Sequence, residues 1–364
     1  MPSAIRELYS VVGRAICLGE ILIDCFAERP DALRSEVKSW TPLPGGALAN
    51  VACGLVKLGS EADFMGSVGC DHWGDALVKL LDDMGVGRLG VQRRLKAPTR
   101  QVFYRLSEGD YAFAGFSETD PTVFADAHLF ADALASDRFI DTNFLVVGIG
   151  SLAYRDTRQS VARAVSLATA HRVPIFVDVT WSPMFWPHPQ EASGRVYDLL
   201  KSVQYLKVPA AEADWLFGTQ SPATIARQFP ALKGVLVMAT TGGCHYWFKG
   251  AGKGIDGYVP AFEVDIEEST GASDAFTAGF VHQLIERGPS CLLDEQSAQK
   301  AVVYASAVGA LTTTRPGAIA ALPTPKEIEV FLYLNAPEYS PRHAPRHAPK
   351  PGASDQSASG QTSP

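Results

Sequence analysis

Two short stretches of this chain hold the residue types that chemistry on a small polar molecule would need. In Ser269-Thr270-Gly271-Ala272-Ser273-Asp274-Ala275-Phe276-Thr277-Ala278-Gly279-Phe280, a run of small residues enters what reads as a long helix, with one carboxylate inside its first turn. Unpaired backbone N–H groups and the positive end of the helix dipole make such an entrance an anion site. Beside a transferring phosphoryl group, Asp274 would take a proton from an attacking hydroxyl. Alone, the segment also reads as an ordinary helix capped by Ser269 or Thr270. The second stretch, Pro44-Gly45-Gly46-Ala47-Leu48-Ala49-Asn50-Val51-Ala52, leads into an amphipathic run ending at Leu58-Gly59. Upstream, Gly19-Glu20-Ile21-Leu22-Ile23-Asp24 closes an apolar strand. Paired glycines let a polar ligand approach the backbone, and Asp24 and Asn50 can bind neighbouring hydroxyls.

Buried strands are expected over Ala15–Phe26, Phe144–Gly150, Pro174–Val179, Tyr205–Val208 and Gly234–Ala239, where Val, Ile and Phe concentrate. Helical spacing predicts Ala47–Leu58, Gly74–Met84, Thr157–His171, Ser273–Arg287 and Ser297–Thr312. This alternation argues for an α/β fold, a largely parallel sheet with helices on both faces. Two segments interrupt it. Glu28–Pro44 and Pro98–Phe116 read as short strands joined by turns, with Glu108-Gly109-Asp110 as a hairpin turn.

Composition narrows the class. The 364 residues are 46% hydrophobic, enough for a large core, and the formal charge of −7 argues against a dedicated nucleic-acid surface. The six cysteines show no CxxC pair, so neither a zinc site nor a disulfide framework is indicated. His343 and His347 are spaced for a shared metal, but Pro345 between them argues against the helix that would present both. No apolar run is long enough to cross a membrane, and the N-terminus lacks a secretory pattern, so the expected compartment is the cytoplasm. A plastid is the alternative for a chain of plant or algal origin. From residue 336 to residue 364 the Pro-, His- and Ser-rich composition predicts a disordered tail beyond a single domain of residues 1–335.

Taken together and in this order, the two motifs resemble those of the ribokinase/PfkB family of sugar kinases, most closely its fructokinase-like branch, over roughly residues 15–335. The resemblance implies a ribokinase-like core with a small β-sheet lid, formed by the two interrupting segments, that excludes water from the sugar. It assigns Asp274 as the base and Gly271, Ala272 and Ser273 as the anion hole. It assigns Asp24, Gly45, Gly46 and Asn50 to the sugar, with Thr99 and Arg100 adding contacts from the lid. Thr240, Gly243 and Gly271 fall on the nucleotide, and Glu212 organises a magnesium ion through water. The implied ligands are a small sugar, ATP and Mg²⁺, with a place for a monovalent cation near the helix entrance. Lid edges in this family pair into dimers, which suggests a homodimer.

Where the family reads Asp-Thr-x-Gly-Ala-Gly-Asp, this chain has Glu268-Ser269-Thr270-Gly271-Ala272-Ser273-Asp274. Ser273 thus puts a side chain where backbone meets phosphate, and Glu268 shifts a charge by one methylene. Pro209 stands in place of the Asn of Asn-x-x-Glu, Thr180 and Ser182 replace the Asn and Arg of an Asp-x-Asn-x-Arg segment, and Thr240 replaces a glycine. The departures gather on the phosphate side. They frame two readings: a working kinase, most simply of fructose, and a pseudokinase of the plastid fructokinase-like type acting through protein partners.

Overall fold

The computed structural model describes residues 13–27, 37–107, 110–250, 252 and 254–336. Its first half runs β1 (Arg14–Leu18), β2 (Leu22–Ala27), β3 (Trp40–Gly45), α1 (Ala47–Leu58), β4 (Glu61–Gly69), α2 (His72–Met84), β5 (Gly87–Arg94), β6 (Gln101–Ser107), β7 (Asp110–Phe116) and β8 (Thr142–Gly148). Then follow α3 (Arg155–Ala170), β9 (Ile175–Asp178), α4 (Ala192–Leu200), β10 (Tyr205–Pro209), α5 (Ala210–Phe217), α6 (Pro222–Gln228) and β11 (Gly234–Met238). The last elements are β12 (Cys244–Phe248), β13 (Ile255–Val259), α7 (Ala272–Arg287), α8 (Glu295–Thr312) and α9 (Pro325–Asn335).

One sheet of nine strands has the order β13-β12-β11-β10-β9-β8-β1-β4-β5. It is parallel from β11 to β5 and is finished at the other edge by the antiparallel β11-β12-β13 run. Side chains alternate between faces. Ala15 and Cys17 of β1 and Phe144 and Val146 of β8 pack with α1, α7 and α8, whereas Ile16, Leu18, Leu145 and Val147 pack with α3, α4 and α5. Burial on both faces is why these strands read as unbroken apolar runs.

A second sheet, β3-β2-β6-β7, forms the lid. Pro42 and Pro44 sit in β3, an edge strand, where a missing N–H is tolerated. Here the sequence expectation needs correcting. The apolar run Ala15–Phe26 is two strands: the chain leaves the large sheet after Leu18, turns at residues 19–21 and enters the lid as β2. Only Gly19-Glu20 marks the break, too short an interruption between two apolar runs for periodicity to separate them. Of the expected lid segment Glu28–Pro44, the structure shows Trp40–Gly45 as strand, while residues 28–36 lie outside the described residues. The Pro98–Phe116 segment supplies the paired strands β6 and β7, with Glu108 and Gly109 of the expected turn outside the described residues. The predicted tail also falls outside them, apart from Ala336.

Candidate active site

The site begins where the backbone is tightest. Gly46 has φ 107°, and a Cβ there would lie 2.5 Å from the carbonyl oxygen of Glu20. A Cβ on Gly45 would lie 2.0 Å from Oδ2 of Asp24. The glycine pair thus seats the start of α1 directly on the turn between β1 and β2. The Ala47 N–H then donates to Oε1 of Glu20 at 2.9 Å, tying the two motif segments together.

One turn into α1, Asn50 donates from Nδ2 to Oδ2 of Asp274 at 2.8 Å. That bond joins the two stretches singled out in the sequence, 224 residues apart. Asp274 stands in the first turn of α7, which opens on Gly271 in the left-handed region (φ 78°) with no side-chain cap. The expected Ser269 or Thr270 cap is therefore absent, because a left-handed glycine makes the turn instead. The Ala275 N–H bonds the Gly271 carbonyl at 2.8 Å, so the helix is closed from its first residue.

These groups surround a cavity of about 270 Å³ roofed by the lid. Its wall includes Glu20, Asp24, Gly46, Asn50, Gly271 and Asp274, with Tyr104 from the lid and Ile149, Tyr154 and Trp186 from the core side. Two buried wall groups, Oδ1 of Asn50 and Oγ of Ser151, have no hydrogen-bond partner among the described residues. Among the described residues, the wall carries four carboxylates (Glu20, Asp24, Asp126, Asp274) and no Lys, Arg or His. Burial pushes the Asp274 carboxyl up to about 7, reinforced by the Asp178 carboxylate and opposed by the Lys207 ammonium and the Asn50 hydrogen bond. Burial, then Glu20 and Glu268, likewise raises Asp24 to about 7. Glu20 is raised chiefly by burial. A carboxyl that titrates near neutrality suits a base that must accept a proton and release it.

Not every expected site residue reaches the cavity. Gly45 stands behind Asp24 and makes room for it. Thr99 is spent on structure: its N–H and hydroxyl bond the Asp71 carboxylate at 2.7 Å each, and its Oγ1 accepts from the Gly69 N–H. Arg100 is 1% exposed and pairs with Asp126 through Nε (2.7 Å) and Nη2 (2.9 Å). The same Nη2 reaches the hydroxyl of Tyr154, and the guanidinium packs on Phe116, Phe124 and Phe185. Neither residue lines the cavity, although the Arg100 partners Asp126 and Tyr154 do. The two act on the wall from behind.

Thr240 and Gly243 lie in the turn between β11 and β12, and Glu212 in the first turn of α5 after β10. Neither turn lines the cavity. Both sit at the carboxyl ends of parallel strands, the edge on which open α/β sheets bind ligands. Glu268 accepts the Gly317 N–H at 2.8 Å on Oε2, while its buried Oε1 has no partner among the described residues.

Against this geometry, residues 13–325 match the model of the pfkB family carbohydrate kinases. The chain belongs to the pfkB family. It is a carbohydrate kinase, a phosphotransferase. It is 30% identical over 324 residues to a probable fructokinase-2 of Arabidopsis thaliana, covering 88% of this chain and 96% of that one. Among solved structures, the fructokinase of Xylella fastidiosa with bound ATP superposes with a TM-score of 0.79 at 26% identity, covering 88% and 98% of the two chains. The fructokinase of Vibrio cholerae O395, solved with fructose, ADP and calcium ion, gives a TM-score of 0.75 at 25% identity, covering 88% and 99%. Among the described residues, no helix of this kinase is long and apolar enough to cross a membrane.

Sequence reasoning missed a polar cluster beneath the entrance to α7. Lys207, fully buried in β10, donates from Nζ to Oδ2 of Asp178 (2.8 Å), to the carbonyl and Oγ of Ser273 (2.7 Å each) and to Oγ1 of Thr277 (2.7 Å). Thr277 in turn donates to Oδ2 of Asp178 at 2.6 Å. The only signal was a lysine inside the otherwise apolar strand Tyr205–Val208. A buried ammonium requires such partners, but the sequence does not show which ones.

Proposed function

We propose that this kinase transfers the γ-phosphoryl group of ATP to a hydroxyl of a small neutral sugar, most simply fructose. The bond between Asn50 and Asp274 carries the reading, because it brings the sugar-side motif and the base into one enclosed cavity. The wall chemistry supports an uncharged polyol: Glu20, Asp24 and Asp274 offer acceptors to hydroxyl groups, and among the described residues no Lys, Arg or His lines the cavity to bind a sugar acid or sugar phosphate. Names of the relatives favour fructose, and the Vibrio cholerae fructokinase was solved with it.

In the reaction, a sugar hydroxyl oxygen held by Asp24 and Asn50 forms the new bond to the γ-phosphorus. Asp274 takes the hydroxyl proton, and the bond to the β,γ-bridging oxygen breaks with its electrons leaving on ADP. N–H groups at the start of α7 meet the charge on the phosphoryl oxygens. Among the described residues, no group of three or more His, Cys, Asp or Glu side chains is arranged to hold a metal. Mg²⁺ would therefore rest mainly on phosphates and water, with Glu212 as an outer partner; its contribution is to offset phosphate charge. The unpartnered Oε1 of Glu268 offers an anionic oxygen for a monovalent cation at the helix entrance. The relatives found carry kinase names, and no observation favours the reading in which the chain acts only through protein partners.

Purified protein with ATP, Mg²⁺ and a panel of ketoses, aldoses, sugar acids and sugar phosphates tests this directly. The expected outcome is ADP release matched by fructose phosphate, with charged sugars ignored.

A further inference from the structure

The serine that replaces glycine before the base is the least expected residue of the site. From sequence it reads as an obstruction, a side chain placed where phosphate meets backbone. The structure shows where that side chain goes. Ser273 is exposed at the first turn of α7, next to Asp274, yet its Oγ accepts a hydrogen bond from the buried Nζ of Lys207 at 2.7 Å. An ammonium is only a donor, so the serine oxygen is the acceptor and its own hydrogen is directed elsewhere. No acceptor for that hydrogen is present among the described residues.

We propose that the Ser273 hydroxyl donates to the phosphoryl group in transfer, adding a side-chain donor to the anion hole, and that Lys207 fixes the direction of that donation. The proposal rests on the kinase reading above. Lys207 is a positioning residue, held from three sides: Asp178 at the end of β9, the Ser273 carbonyl in the first turn of α7 and Thr277 in its second. Its positive charge polarises the serine O–H toward donation, as hydrogen bonds in a low-dielectric chain reinforce one another. The transfer keeps the bond changes given above; Ser273 contributes a hydrogen bond and gives up no proton.

The arrangement allows a clean test. Nζ has three hydrogens and four acceptors, so removing the serine Oγ leaves one acceptor for each hydrogen. Ser273→Ala is therefore expected to fold and melt as the unmodified chain does. In steady-state assays with ATP, Mg²⁺ and fructose, its kcat should fall about 10², the worth of one anion-hole donor, with the fructose KM unchanged. Ser273→Gly should show the same loss, and Ser273→Thr, which keeps the hydroxyl, should recover most of it. In calorimetry, Ser273→Ala should weaken binding of the ADP–aluminium fluoride–fructose complex while leaving ADP binding alone unchanged. An active unmodified enzyme with Ser273→Ala or Ser273→Gly as fast or faster would overturn the role of the serine and leave the kinase reading standing. An unmodified chain that phosphorylates no sugar would overturn both.

Discussion

The two sides of this kinase proposed to hold sugar and phosphate are built on different principles. The first is a recess: Asp24, Asn50 and Asp274 lie under a lid, and each is fixed by glycines, helix starts or buried hydrogen bonds. The phosphate side is a ledge at the carboxyl ends of the strands, where Ser273 and Thr240 are exposed and Glu212 is half-buried. Departures from the family pattern fall on both: Ser273 and Thr240 on the ledge, Thr180 and Ser182 in the cavity wall, while Asp24, Asn50 and Asp274 match it. A buried group that binds a hydroxyl has one geometry, and its loss leaves unpaired polar atoms that cost about 1–3 kcal/mol each. On the ledge, backbone N–H groups would supply the anion site whatever the side chain is, so a change such as that to Ser273 can add a donor without removing those already there.

The largest expected effect lies where the two sides meet. Asp274→Asn preserves size but cannot accept the hydroxyl proton, so turnover should fall by about 10²–10⁴ while fructose affinity measured by calorimetry is retained. Turnover near that of the unmodified enzyme would remove Asp274 from the chemistry.

Next comes Arg100, which separates structure from recognition. Deleting one member of a buried pair leaves the other charge stranded, so Arg100→Ala should lower unfolding free energy by about 3–5 kcal/mol in denaturant titrations. A direct sugar contact would give the opposite pattern, weaker fructose binding at unchanged stability.

A smaller loss is expected on the sugar side. Asp24→Ala removes a charged acceptor worth about 1.5–3 kcal/mol, which should appear in the fructose dissociation constant and not in that of ATP. Equal weakening of both would mean that the two sides are not separable.

The last effect concerns stability alone, in the pH dependence of the free protein. The carboxyls of Asp24 and Asp274 move from 3.8 to about 7 on folding, so between these values the folded chain binds more protons than the unfolded one. Unfolding free energy should therefore fall as pH rises from about 4 to about 7 and level off above. Asp24→Asn and Asp274→Asn should each flatten that slope in melting curves. A slope of the opposite sign would show that these carboxyls are not raised.

Sequence made the site's centre legible because glycine pairs, a helix entrance and one carboxylate are local patterns. What it hid depends on contacts distant in the chain. Arg100 reads as a lid residue facing the sugar, but its partner Asp126 turns it into the wall behind. The break between β1 and β2 falls in one apolar run, since both the large sheet and the lid bury their strands there. Ser273 reads as crowding because the lysine that draws its oxygen stands 66 residues away.

The central claim is that both sides act together to move a phosphoryl group. The most direct test is to incubate the purified chain with fructose and γ-labelled ATP and to follow label into sugar phosphate, beside Asp274→Asn. The account predicts one fructose phosphate for each ADP formed, lost in the variant. Fructose binding with no transfer of label under any Mg²⁺ or monovalent-cation condition would contradict it.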